Sequence, residues 1–209
     1  MPLTMPHTFV DGPGNVASGE EVMDNLNAIN AGVAAATVTS LPGSPVNGQD
    51  CYYLADATNG IVWHLKYRSA SASAYKWEFV GGGVLHSDVA TSQTTASTTY
   101  ADLATAGPTV TVPLAGDYDV SIEASANTPG TLGAVATMSF AVGASAAADA
   151  DSIAIGNPAS TGGLTAYQFR TVRKTGLAAA TALTSKYKMS TGTGFFLNRS
   201  IRAVPVRVG

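Results

Sequence analysis

The stretch YYLADATNGIVWHLKYRSASASAYKWEFVGG, Tyr52 to Gly82, decides how the chain is read, because both tryptophans and half of the eight tyrosines fall inside it. Its large residues recur with period two. Ile61, Trp63, Leu65 and Tyr67 alternate with Val62, His64, Lys66 and Arg68, and Tyr75, Trp77 and Phe79 alternate with Lys76 and Glu78. Successive side chains of a strand point to opposite faces, so each run carries one aromatic face. Asn59-Gly60 is a hairpin signal, and Ser69 to Ser73 reads as a loop of small residues. The spacing predicts a three-stranded meander with strands near 51–55, 61–68 and 75–80. A sheet this small cannot bury such a face unaided. Trp63, Leu65, Tyr67, Tyr75, Trp77 and Phe79 are therefore expected to pack against something outside the ribbon, as an assembly core between copies.

Downstream, from about Leu85 to Gly209, short period-two runs continue. Val110 and Val112 alternate with threonines, and Tyr118, Val120, Ile122 and Ala124 alternate with Asp119, Ser121 and Glu123. Met138-Phe140-Val142, Ile153-Ile155, Tyr167-Phe169, Tyr187-Met189 and Ile201 to Val208 extend the series, separated by Gly- and Pro-rich turns. About eight strands in such a length is the size of an antiparallel sandwich or jelly roll. Pro205 lacks a backbone donor, so the last strand is expected at an edge or a strand end.

Upstream, residues 1–17 contain three prolines and read as an extended arm. Its Phe9-Val10 pair is either a docking anchor onto a partner or part of a frayed terminus. Ser18-Gly19-Glu20-Glu21 reads as a capping box. Behind it Val22, Leu26, Ile29 and Val33 are spaced as a heptad seam. An isolated helix of about two heptads is marginal in water, so it needs either its own domain or further copies of itself. The expected class is mainly β. Residues 1–17 form the arm, 18–38 an oligomerisation helix, 39–83 the aromatic meander and 84–209 the sandwich.

Charged residues are only 12% of the 209, about half the usual share, and the formal charge is −3. No general attraction to nucleic acid or anionic membrane follows. The distribution is uneven: all 14 acidic residues lie at or before Asp151, and eight of the 11 basic ones at or beyond Arg170. Either strands of the two halves pair and neutralise each other, or a basic C-terminal face meets an acidic neighbour. Cys51 is alone and reads as a buried small hydrophobe. The start MPLTMPHTFVDGPGN has neither the basic start nor the apolar core of a signal peptide, and no run approaches the roughly 18 apolar residues of a membrane span.

Candidates for chemistry are sparse. His7, His64 and His86 lack metal-ligand spacing, and no nucleophile elbow, phosphate loop or dinucleotide fingerprint occurs. Asp149-Ala150-Asp151 reads as an acidic loop rather than a calcium site, and Asp117 with Asp119 as carboxylates flanking a strand start. No cofactor, metal or catalytic residue is expected. Trp63, Tyr67, Tyr75 and Trp77 are either a sugar-stacking platform or the core of a packed sheet. Arg170, Arg173, Lys174, Lys186 and Lys188 lack interleaved aromatics, which favours a solvated face or subunit contact over nucleic-acid binding.

Residues 41–83 resemble a module of tailed-bacteriophage virion proteins of the minor-tail or tail-fibre type. The marks are Leu41-Pro42-x-x-Pro45, Asp56-Ala57-x-Asn59-Gly60, Trp63-His64-Leu65 and Lys76-Trp77-Glu78-Phe79-Val80-Gly81-Gly82. The segments GDYDVSIEA from Gly116, KTGLAAATALTSKY from Lys174 and the terminal PVRV from Pro205 are similar to jelly-roll-like domains attached to that module. The resemblance implies a non-enzymatic, trimeric component of the virion surface, made in the host cytoplasm and contacting other phage virion proteins of the capsid or tail. A repetitive fibre shaft is missing from the sequence, so a short tail appendage and a capsid decoration or head fibre are both admissible. The alternative is a host-surface glycan or receptor-binding module whose sandwich loops, such as Asn127 to Gly133 or Asn157 to Gly163, make the contact. The seam predicts that Leu26→Asp with Ile29→Asp dissociates the oligomer. Light scattering is expected to show the monomer mass, and an unchanged mass removes the seam.

Overall fold

The computed structural model describes residues 22–24, 36–129, 132–156 and 165–209. Residues 22–24 are helical, with Val22 exposed. Leu26, Ile29 and Val33 of the seam, and Phe9 and Val10 of the arm, lie outside the described residues.

The first described strand is β1 (Thr37–Val38), which pairs parallel with β2 (Asp50–Asp56). Strands β3 (Ile61–Tyr67) and β4 (Trp77–Gly82) complete the expected meander within a residue or two. Asp56 shapes the first turn: its carboxylate accepts from Thr58 N at 2.9 Å, Asn59 N at 3.1 Å and Asn59 Nδ2 at 2.7 Å. The glycines that end the quoted stretch also have a geometric cause. Gly82 pairs with Trp63 at φ +128°, and a Cβ there would stand 2.2 Å from the Val62 carbonyl oxygen. Only glycine lets the backbone close over Trp63 in this way.

Then follow β5 (Leu85–Val89), β6 (Gln93–Thr95), β7 (Thr109–Thr111), β8 (Gly116–Asn127) and β9 (Val135–Val142). A 3-10 turn at Asp149–Asp151 leads to β10 (Ile153–Gly156), β11 (Ala166–Leu177), β12 (Ala182–Met189) and β13 (Gly194–Val208). Two sheets result. The larger has nine strands, in the order β1-β2-β3-β4-β13-β8-β11 with β5 and β6 also on β13; the smaller has four, in the order β10-β9-β12-β7.

The boundary expected at residue 83 does not interrupt the sheet, because β4 pairs with β13 at Glu78 and Trp77. One hydrophobic cluster accordingly runs from Cys51, Trp63, Leu65 and Trp77 to Tyr118, Ile122, Phe140 and Ile201. The aromatic face is covered within a single chain: Trp63 and Leu65 are 0% exposed and Trp77 is 3% exposed. Trp63 lies 6.1 Å from the Tyr53 ring, 6.3 Å from Phe79 and 6.2 Å from Tyr118, and its Nε1 donates to Gly83 O at 2.9 Å. These separations lie within the range of tilted and edge-on aromatic packing. The outside partner foreseen for the ribbon is thus the chain's own sandwich. For Trp63, Leu65 and Trp77 this corrects the assembly-core assignment, since a side chain already enclosed has no surface left for another copy. Tyr67, Tyr75 and Phe79 are half-buried around them.

The last strand also departs from expectation. Pro205 sits inside β13, which lies in the middle of the large sheet. On one side β13 pairs with β8, with a register irregularity between Pro205 and Arg207. On the other, its pairing with β5 ends at Ala203 and its pairing with β4 begins at Arg207. Pro205 thus lies across from Tyr118 of β8 on one edge and beside the gap between β5 and β4 on the other, a break in the ladder that suits a residue without a backbone donor. A second irregularity, between Leu197 and Ser200, turns Arg199 inward to 0% exposure. Its guanidinium lies 5.3 Å from the Tyr187 ring and reaches Thr91 O at 3.3 Å and Gln93 Oε1 at 3.2 Å.

Because Trp63 is buried by its own chain, Trp63→Ala is expected to cost about 3–5 kcal/mol in urea unfolding, the usual range for an aromatic truncated to alanine. The loss should be the same in dilute and concentrated protein. An effect that disappears on dilution would return Trp63 to an interface between copies.

Candidate binding face on the large sheet

The alternation of β8 divides its residues between two environments. Tyr118, Val120, Ile122, Ala124 and Ala126 are fully buried toward the small sheet. Asp117, Asp119, Ser121, Glu123 and Ser125 therefore stand on the opposite, outer face. Register extends that face across four strands. One row runs His86 of β5, Arg202 of β13, Ser121 of β8 and Thr171 of β11; the next runs Asp88, Ser200, Glu123 and Phe169.

Glu123 is the hub. Ser200 Oγ donates to its Oε1 at 2.6 Å and Arg202 Nη2 at 3.1 Å, while Tyr167 O–H donates to Oε2. Hydrogen bonds from Ser200 and Tyr167 hold the Glu123 carboxyl below its ordinary range against the opposing effect of burial, with lesser help from the charges of Arg202 and His86. Tyr167 responds in the other direction, since donating to a carboxylate favours its protonated form. Beside the hub, Ser121 and Thr171 hydroxyls meet at 2.7 Å. Phe169 stands directly across from Glu123 with 69% of its surface exposed, and Tyr167 is 54% exposed. A groove of about 220 Å³ is lined by Ser121, Glu123, Phe169, Thr171, Ser200 and Arg202.

The basic residues of the C-terminal part are matched inside the chain. Arg173 clamps Asp119 at 2.5 and 3.0 Å, Lys186 meets Asp102 at 2.7 Å, and Arg207 meets Glu78 at 3.4 Å. Lys174 pairs with Asp151, and Lys188 with Asp149 at 2.5 Å. Arg170 donates to Ser152 O at 3.0 Å. Of the two readings of the charge asymmetry, pairing of the two halves within one fold is the one realised. Asp149 and Asp151 are thereby occupied as ion-pair partners, and Asp117 accepts from Gly176 N at 2.9 Å. Among the described residues no group of three metal-ligating side chains converges, and no helix is long and apolar enough to cross a membrane.

The sequence-predicted aromatic platform is not an open site. Trp63 and Trp77 are enclosed, and His64 is stacked on Tyr52 at 4.7 Å and bonded to Asp50 at 2.8 Å. Of the loops proposed for recognition, residues 130, 131 and 157–164 lie outside the described residues. Tyr167 and Phe169 were visible as an apolar pair continuing the strand series. Their outward orientation was not visible, because it depends on pairing with β8.

The fold and this face define a two-sheet, mainly β protein whose recognisable polar architecture lies on a sheet surface. No family model matches the chain, and no curated protein matches it. Among solved structures the chain is similar to the VP2 subviral particle of infectious bursal disease virus, at 11% identity and a TM-score of 0.38, covering 80% of this chain and 41% of that one. The Gt strain of the same virus gives 14% identity and a TM-score of 0.38 over 80% and 44%. Dimeric latent PorU from Porphyromonas gingivalis gives 16% and 0.33 over 66% and 14%. The chain spans less than half the length of these structures, and likenesses this loose carry no argument about function.

The Glu123 hub has a pH signature. A carboxyl held below its unfolded value of about 4.3 contributes stability above that pH, and loses the contribution as pH falls through the folded value. Glu123→Gln is therefore expected to be less stable than the parent chain at pH 7 and to converge with it in acid. Thermal unfolding across that range checks this, and a difference unchanged down to the acid limit would remove the ionised hub.

Proposed function

We propose that the chain is a non-enzymatic structural component of a tailed-bacteriophage virion, a trimeric surface appendage docked through its N-terminal region with the sandwich exposed. Minor tail protein or short tail fibre and capsid decoration or head fibre are the two settings this reading allows. The polarity of the large sheet carries it. The chain enters at β1 on one edge, and β11, with Tyr167 and Phe169 exposed, forms the other. Six strand spacings separate these edges, about 29 Å along the sheet. An arm and helix preceding residue 36 would thus attach at one edge and leave the other free.

Two further observations support the reading. The module resemblance covers the ribbon that forms β2, β3 and β4. The in-chain ion pairs neutralise the charge asymmetry, which suits a component that stands against several different surfaces rather than one polyanion. A second reading, recognition of a host-surface glycan, is favoured by the exposed Phe169 beside the Glu123 groove.

Gold-antibody labelling of intact particles in the electron microscope tests the proposal. Label on the head is expected for a decoration protein or head fibre, and label on the tail for a tail appendage. Particles without label would overturn the virion assignment.

A further inference from the structure

We infer that the outer face of β13, β8 and β11 holds a binding site for a single neutral pyranose ring, with Phe169 as its stacking surface and Glu123 and Arg202 as its acceptor and donor. The inference deepens the glycan reading above and moves the contact from the sandwich loops to the sheet surface.

The geometry supplies the two halves that a sugar needs. A pyranose has an apolar face of C–H groups and a rim of hydroxyls. Phe169 offers an apolar ring that is 69% exposed on a strand rather than a mobile loop. The rim would meet groups already gathered beside it: the Glu123 carboxylate, the Arg202 guanidinium and the hydroxyls of Ser121 and Thr171, all lining the same groove of about 220 Å³. A mostly concave site with one hydrophobic surface and a few convergent polar groups is the ordinary pattern of a small-ligand pocket.

Charge selects a neutral ligand. Glu123 and Arg202 are paired with each other at 3.1 Å, so the pair presents no net charge to attract an anion or a cation, whereas hydroxyls can use the donors and acceptors it leaves over. Both groups retain capacity, since a carboxylate accepts up to about four hydrogen bonds and a guanidinium has five donors. The site is also held in advance of binding. β11 is tied to β8 by a ladder from Ala166 to Lys174 and by the Arg173–Asp119 clamp, and to the Asp149–Asp151 turn by the Lys174–Asp151 pair. Little side-chain or strand ordering would then be lost on binding.

The same groups favour holding a sugar over cleaving one. Glu123 is kept ionised by its hydrogen bonds, so it accepts rather than donates protons at neutral pH. Asp88, the other carboxylate of its row, is two strands away, about 10 Å, with Ser200 between them.

The test uses the full chain and a panel of neutral methyl glycosides of glucose, galactose and mannose, read by saturation-transfer NMR. Transfer to the ring C–H protons of at least one glycoside is expected at millimolar concentration. Phe169→Ala should weaken it by roughly 3- to 10-fold, the factor brought by loss of an aromatic contact. Phe169→Tyr should retain it, and Leu132→Ala, an exposed apolar position outside the groove, should leave it unchanged. No transfer from any neutral glycoside overturns the site, as does transfer indifferent to Phe169→Ala. A change of oligomeric mass in Phe169→Ala would make the ring a contact between copies and overturn it as well. All these readings are made on the isolated chain, so their failure leaves particle labelling, and the virion assignment, standing.

Discussion

Strand β13 is paired along both edges, and the rest of the fold depends on that pairing. On one side it runs antiparallel to β8 from Phe195 to Val208. On the other it holds β6, β5 and β4 in turn. Ladder bonds are the economical way to satisfy buried backbone groups, so a strand used on both edges fixes the positions of everything attached to it. Close approach at the end of the ladder is why Gly116 has no side chain: a Cβ there would stand 2.3 Å from the Arg207 carbonyl oxygen. The same ladder joins the aromatic ribbon to the sandwich, making one sheet of two units that look separate along the chain.

That junction changes the meaning of the largest side chains. An aromatic face on an isolated meander is unstable in water, and a second copy or a second domain can each cover it. Here Tyr118 and its neighbours cover it, with the Tyr118 hydroxyl satisfied by Leu114 O at 2.7 Å. Tryptophan with an indole donor bonded to Gly83 is held in orientation as well as in place.

Charge behaves in the same intrachain manner. Acidic residues early in the chain and basic residues late in it meet because β11, β12 and β13 are laid against β8 and the turns near Asp102 and Asp149. Most of these pairs are partly exposed, and pairs of that kind contribute modestly to stability. Their larger effect is on the surface of the described residues, where acidic and basic groups stand side by side. Against that background the Glu123 face stands apart, combining a depressed carboxyl, a guanidinium and an uncovered aromatic ring in adjacent cross-strand rows.

Much of this was legible in the sequence. Period-two alternation located β2, β3, β4, β8, β9 and β10 and told which residues of β8 lie inside, because the pleat ties side-chain direction to position in the strand. Asn59-Gly60 marked the first turn, and Cys51 was rightly read as buried. Long-range register was not legible. Pro205 read as an edge or strand-end residue because sequence shows the missing donor but not the gap between β5 and β4 beside it. The inward turn of Arg199 leaves no mark in the alternation, because the irregularity that produces it depends on pairing with β8. Phe169 read as one more member of the strand series, because alternation shows that two faces differ, not which of them another layer will cover. Sequence alone thus determined the strands and their two-sidedness, which are local properties of the pleat. Only the tertiary structure decided which edges pair and which faces stay open, because those outcomes rest on contacts between residues far apart in the chain.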